Sequence, residues 1–155
     1  MRSLETGIIY ENPLPQLRSR QCFFPSLCLR ADGTLAAVFA IGEAFESVDS
    51  TSFICFSKDD GKTWTQPKRM FPSAAAGEVP ITDYCKITAL PDGRLAALGY
   101  AYRRDDPEKP IGNPENGGLL DDFVFWSVRR TAGRPGARCG ISSAPGDRMW
   151  RPRRP

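Results

Sequence analysis

The chain of 155 residues contains no histidine. Ser-His-Asp and Cys-His catalysis both need an imidazole base, so neither can be built from this sequence. Cysteine is sparse and odd in number: Cys22, Cys28, Cys55, Cys85 and Cys139 are widely scattered, with no C-x-x-C pair and no metal-ligand spacing. That pattern argues against a disulfide scaffold and a structural zinc site. Reduced, mostly buried thiols are expected instead, with no metal or other cofactor. No apolar run approaches the length of a membrane span, and residues 1–21 lack the apolar core of a secretory leader. A cytoplasmic chain with no membrane partner is the expectation.

Charge is unevenly spread. Residues 128–155 hold eight Arg, no Lys and one acid, Asp147, for a net +7. Subtracting that from the total of +3 leaves residues 1–127 at −4. The basic balance therefore belongs to the tail alone, and no nucleic-acid partner is expected for the rest. Fourteen Gly and fourteen Pro point to short strands joined by turns. No stretch sustains an apolar 3.6-residue period over ten positions, which leaves no place for a long helix.

The segment P-S-L-C-L-R-A-D-G-T-L-A-A-V-F, residues 25–39, reads as two strands around an Asp32-Gly33 turn. Sixty residues on, K-I-T-A-L-P-D-G-R-L-A-A-L-G-Y, residues 86–100, repeats it around Asp92-Gly93. A fixed period of this kind marks a repeat architecture. Strands are expected at 25–31, 34–41, 51–56 and 63–70, then at 85–90, 94–101 and 122–128. Arg103 to Asp106 reads as the start of a solvated loop that runs to Leu120.

Ser57-x-Asp59-x-Gly61-x-Thr63-Trp64 fills all five positions of S-x-D-x-G-x-T-W. Ser57 and Asp59 can hold turn amides, Gly61 can take a positive φ, and Trp64 can cover the turn. This stretch resembles the Asp box, or BNR repeat, of the sialidase (neuraminidase) superfamily and of bacterial sialidase-like proteins. The resemblance implies an all-β chain: roughly two four-stranded antiparallel blades of a six-bladed β-propeller, followed by an irregular C-terminal tail. It divides the chain into a lead-in at 1–20, a first blade at 21–71, a partial second blade at 72–128, and a tail at 129–155. In such proteins the box is structural.

The same resemblance implies a site. Sialidases begin with an arginine before Ile-Pro that grips the sialic-acid carboxylate; Cys22-Phe23-Phe24-Pro25 matches that motif with Phe23 at the arginine's place. An apolar ring supplies no bidentate donor. The acid/base position falls in the stretch between the first hairpin and the box, where Asp49 is the first choice and Glu46 the second. The sixty-residue offset adds Asp83, Tyr84 and Lys86 as substrate-binding residues on the innermost strand of the second blade. A glycan or other sugar is the implied ligand.

The tail invites a different explanation. Inserting one nucleotide after the Val128 codon allows the following stretch to read V-S-E-D-G-G-Q-T-W-S, a second box where the second blade needs one. Residues 129–155 then read as out-of-frame, disordered sequence. Three functions stay open: a glycoside hydrolase of that superfamily acting on a sugar other than a typical sialoside, a non-catalytic propeller binding carbohydrate or protein, and a truncated, inactive product.

Overall fold

A computed structural model of the chain describes residues 5–72 and 78–129. Among them are seven strands and no helix: β1 (Gln21–Leu29), β2 (Leu35–Gly42), β3 (Thr51–Ser57), β4 (Lys68–Arg69), β5 (Ile81–Ala89), β6 (Leu95–Arg103) and β7 (Asp122–Arg129). They form two open antiparallel sheets, ordered β1-β2-β3-β4 and β5-β6-β7. No described helix is long and apolar enough to cross a membrane. The reading of the tail lies outside the described residues.

The two Asp-Gly hairpins turn alike. In the first, Arg30 and Gly33 donate their N–H groups to the carbonyls of Thr34 and Arg30; in the second, Leu90 and Gly93 donate to those of Arg94 and Leu90. Gly33 and Gly93 take φ of 80° and 82°, a region costly for any residue with a Cβ. Asp32 and Asp92 each accept the N–H two residues on, at 3.1 Å. The sequence repeat is thus a repeat of backbone geometry.

β2 is buried on both faces, which explains its unbroken apolar run L-A-A-V-F-A-I-G. Ala36 and Val38 face the second sheet and pack with Ile54, Met70, Cys85, Ile87 and Leu95. Burying side chains such as Val38 and Ile87 contributes about 1.5–3 kcal/mol each. Small Ala36 and Ala97 let the sheets approach. Gly99 serves the same end within the second sheet, since a Cβ there would meet the Tyr84 carbonyl at 2.2 Å. Ala37, Phe39, Ile41 and Cys55 form the other face of the first sheet, covered by Ile9 and Tyr10 of the N-terminal segment.

Among the described residues, the second sheet has no such cover on its far side. Leu98, Val124 and Trp126 are exposed there, with Leu98 opposite Trp126 and Tyr100 opposite Val124 in the register.

Several expected boundaries shift. β1 starts at Gln21 and runs through Pro25 because its register to β2 slips between Phe23 and Ser26, where a missing N–H costs no ladder bond. β4 shrinks to two residues because the box turn occupies residues 57–64 and Pro67 follows. Single bonds such as Thr65 N–H to the Phe56 carbonyl carry the pairing beyond it. β6 extends to Arg103, and Arg104 is buried at 3% exposure, so residues 103–104 are not solvated loop. Among the described thiols, Cys55 and Cys85 are buried and Cys28 half-buried, whereas Cys22 on β1 is exposed.

Candidate functional site

Register places Gln21, Gly42 and Thr51 at one end of the first sheet and Ile81, Arg103 and Asp122 at one end of the second. These ends are joined. Asp83 accepts from the Ser52 N–H at 3.0 Å and from the Thr51 hydroxyl. Thr82 donates its hydroxyl to the Ser47 carbonyl at 3.1 Å, and Arg104 donates Nη1 to the Glu46 carbonyl at 2.8 Å. Loops 43–50 and 104–121 therefore stand over the same end, and the Asp-Gly turns and the box lie at the other.

Between the two loops is a cleft of about 430 Å³. Its charged lining comes from Glu43, Glu46 and Asp49 of the first loop and Arg104, Glu108 and Lys109 of the second. Four carboxylates face two cations, so the cleft disfavours an anionic ligand.

Asp49 is the most tightly held of the four. Arg20 donates Nη1 to it at 2.8 Å, the Ser47 hydroxyl at 2.6 Å and the Glu43 N–H at 3.0 Å. Burial alone raises its pKa, but the Glu43 amide, the Ser47 hydroxyl and the Arg20 charge outweigh it and leave the carboxyl below its ordinary value. A general acid for glycoside cleavage needs the opposite shift.

Glu46 adopts a φ of 59° beside it. Arg104 holds this turn from below: besides the Glu46 carbonyl, it donates Nη2 to the Lys109 carbonyl at 3.1 Å. A charge so buried needs such partners.

A chain of aromatic rings runs from the first loop onto the second sheet. Phe24, at the β1 bulge, has φ of 53°, a costly conformation for a bulky residue. The bulge brings Phe23 to 5.5 Å from Phe45 and Phe24 to 5.9 Å from it, edge-on or tilted. Phe45 itself is 56% exposed. Phe24 meets Tyr84 at 4.8 Å, and the chain of rings continues through Tyr100 to Tyr102 at 5.5 and 5.7 Å.

Of the expected residues, Glu46 and Asp49 line the cleft. Asp83, Tyr84 and Lys86 do not. Asp83 is buried between the sheets, where desolvation pushes its pKa up against the bonds from Thr51 and Ser52. Tyr84 is buried under Phe24, and Lys86 reaches the Pro25 carbonyl at 2.8 Å. The box residues sit at the far end. There Asp59 accepts the Thr63 N–H and hydroxyl at 2.9 and 2.6 Å, Ser57 accepts the Gly61 N–H at 2.9 Å, and Trp64 donates Nε1 to the Gly61 carbonyl at 3.0 Å. Phe45 and Arg104 escaped the sequence reading. The sixty-residue offset was the signal available for Arg104, because it sets residue 104 level with residue 44, in the loop that carries the acids.

Two stacked, open antiparallel sheets define the class of fold. No family model matches the chain, nor does any curated protein sequence. The fold is shared with the crystal structure of a protein of unknown function from Dyadobacter fermentans DSM 18053, at 22% identity and a TM-score of 0.57. The match covers 81% of this chain and 36% of that one, so the chain spans about a third of that protein's length.

Proposed function

We propose that the two sheets are successive blades of an Asp-box propeller of the sialidase-like kind, and that the cleft at their shared end binds a glycan without cleaving sialosides. Several features support the blade reading. The hairpin recurs with the same hydrogen bonds, and a filled S-x-D-x-G-x-T-W motif closes the β3–β4 turn. The uncovered face of Leu98, Val124 and Trp126 is where a ring would set its next blade.

Binding is favoured over hydrolysis by one observation: Asp49 is held ionised by Arg20, Ser47 and the Glu43 amide. It cannot hold a proton for a leaving group near neutral pH. Phe23, where the sialidase resemblance has an arginine, adds no grip on a carboxylate. What the site offers is an exposed ring, Phe45, for the apolar face of a sugar, next to carboxylates for its hydroxyls.

Calorimetric titration of the full chain with neutral and sialylated oligosaccharides tests this. Neutral sugars are expected to bind and sialosides to bind poorly, with Phe45→Ala weakening the former by about tenfold. Release of a fluorophore from a sialoside, abolished in Asp49→Asn, would restore the hydrolase reading.

A further inference from the structure

The two sheets pack front to back. Val38 and Ile54, on the front of the first sheet, meet Ile87, Leu95 and Ala97 on the back of the second. Register makes the sheets equivalent position by position. Leu27, Ala37 and Val38 stand in the first where Ile87, Ala97 and Leu98 stand in the second, each sixty residues on. Ile54 and Trp126 correspond in the same way, as the partners of Val38 and Leu98 on the third strand of each sheet. One internal interface therefore defines what each free end of the pair should carry.

Both free ends hold unfilled halves of that interface among the described residues. The front of the second sheet exposes Leu98 and Trp126 at 62% and 61%, whereas their equivalents Val38 and Ile54 are buried. The back of the first sheet exposes Leu27 and Leu29 at 56% and 63%, whereas Ile87, the equivalent of Leu27, is buried. The N-terminal segment does not close that end. Ile9 and Tyr10 pack on the Phe39 side, with the Tyr10 ring 5.9 Å from Phe39, and leave Leu27 and Leu29 open. Apolar patches of this kind mark surfaces of association.

We propose that this chain associates head to tail with copies of itself, the Leu98–Trp126 face of one copy docking on the Leu27–Leu29 face of the next. The contact reuses the packing inside the chain: Leu98 and Trp126 meet Leu27 of the next copy as Val38 and Ile54 meet Ile87. The sheet that covers the second sheet is then the first sheet of another copy. In a longer chain that encodes further units, those units take the same two places. The two surfaces differ, so the contact is heterologous, and its repetition either closes a ring or grows without limit. Closure at three copies rests on the six-blade reading; the contact itself rests only on the equivalence of the two sheets.

Sedimentation velocity of the full chain across about 1–100 μM, where interfaces of ordinary area associate, tests the contact. Association beyond the monomer is expected. Trp126→Glu on the front and Leu27→Glu on the back should each weaken it by about thirtyfold or more, by setting a charge in an apolar contact. Both positions are exposed, so the fold should survive, and Val124→Glu with Leu29→Glu provides a second pair. An equimolar mixture of the two variants should form a dimer and nothing larger, because one keeps an intact back and the other an intact front. A limiting mass of three chains supports the contact and the six-blade ring together. Unlimited growth with the same variant behaviour supports the contact and overturns closure at six sheets. A wild type that stays monomeric throughout overturns the contact and leaves the six-blade reading to the gene sequence. Association lost in Trp126→Glu but kept in Leu27→Glu means front-to-front pairing and overturns the head-to-tail contact, as does association that neither variant weakens.

Discussion

Asp59 illustrates what one residue can do when all its partners are local. The Thr63 hydroxyl, then the Thr63 N–H and the Ser57 hydroxyl, pull its pKa down to about 2. A carboxylate depressed in this way stabilises the fold above its unfolded pKa, and that stability is lost as pH falls through the folded value. Chemical unfolding of the wild type between about pH 4 and pH 2 should therefore show a fall in stability that Asp59→Asn flattens. An identical slope in the variant would remove Asp59 from its turn. Such a turn is legible from sequence because its donors and acceptors fall within residues 57–64. Arg20 and Asp49, which meet at 2.8 Å across 29 residues, carry no comparable local signature. Arg104 looks solvated in sequence because it sits in the charged run 103–106, and only the packing of the second loop over it shows otherwise.

At the scale of elements, alternation and turn chemistry located six of the seven strands to within a few residues; the fourth is far shorter than expected. The errors share a cause. Strand ends are decided by contacts between sheets, which no local window contains. β5 begins at Ile81 rather than 85 because Thr82 and Asp83 pair with Tyr102 and Ala101 and also grip the first sheet. Asp83 is the cross-sheet lock, and desolvation raises its pKa. The stability it contributes is complete below the unfolded carboxylate range and is lost as pH rises through the folded value. Asp83→Asn can keep both bonds without that charge. It should match or exceed the wild type in urea unfolding at neutral pH, whereas Asp83→Ala should lose about 1–3 kcal/mol by stranding the Ser52 N–H and the Thr51 hydroxyl. Equal losses in the two variants would mean that the charge itself holds the sheets together.

Over the whole molecule, the repeat explains why the two sheets present different surfaces. Val38 and Ile54 of the first sheet are buried against the second, and the residues at matching positions, Leu98 and Trp126, are exposed. Equivalent faces with unequal cover are what two neighbouring units of a stacked array display. The two-sheet arrangement was legible because it follows from a sixty-residue period and apolar patterning. The cleft was legible only in part, since it depends on two loops whose shape Arg104 sets from inside. Sequencing the gene across and beyond the Val128 codon tests the reading of two sheets as successive units of a longer ring. The expected result is a continuous frame that encodes S-x-D-x-G-x-T-W directly after Val128, followed by further Asp-Gly hairpins at a similar period. A confirmed frame through residues 129–155, with neither box nor hairpins in the alternative frame, would contradict it.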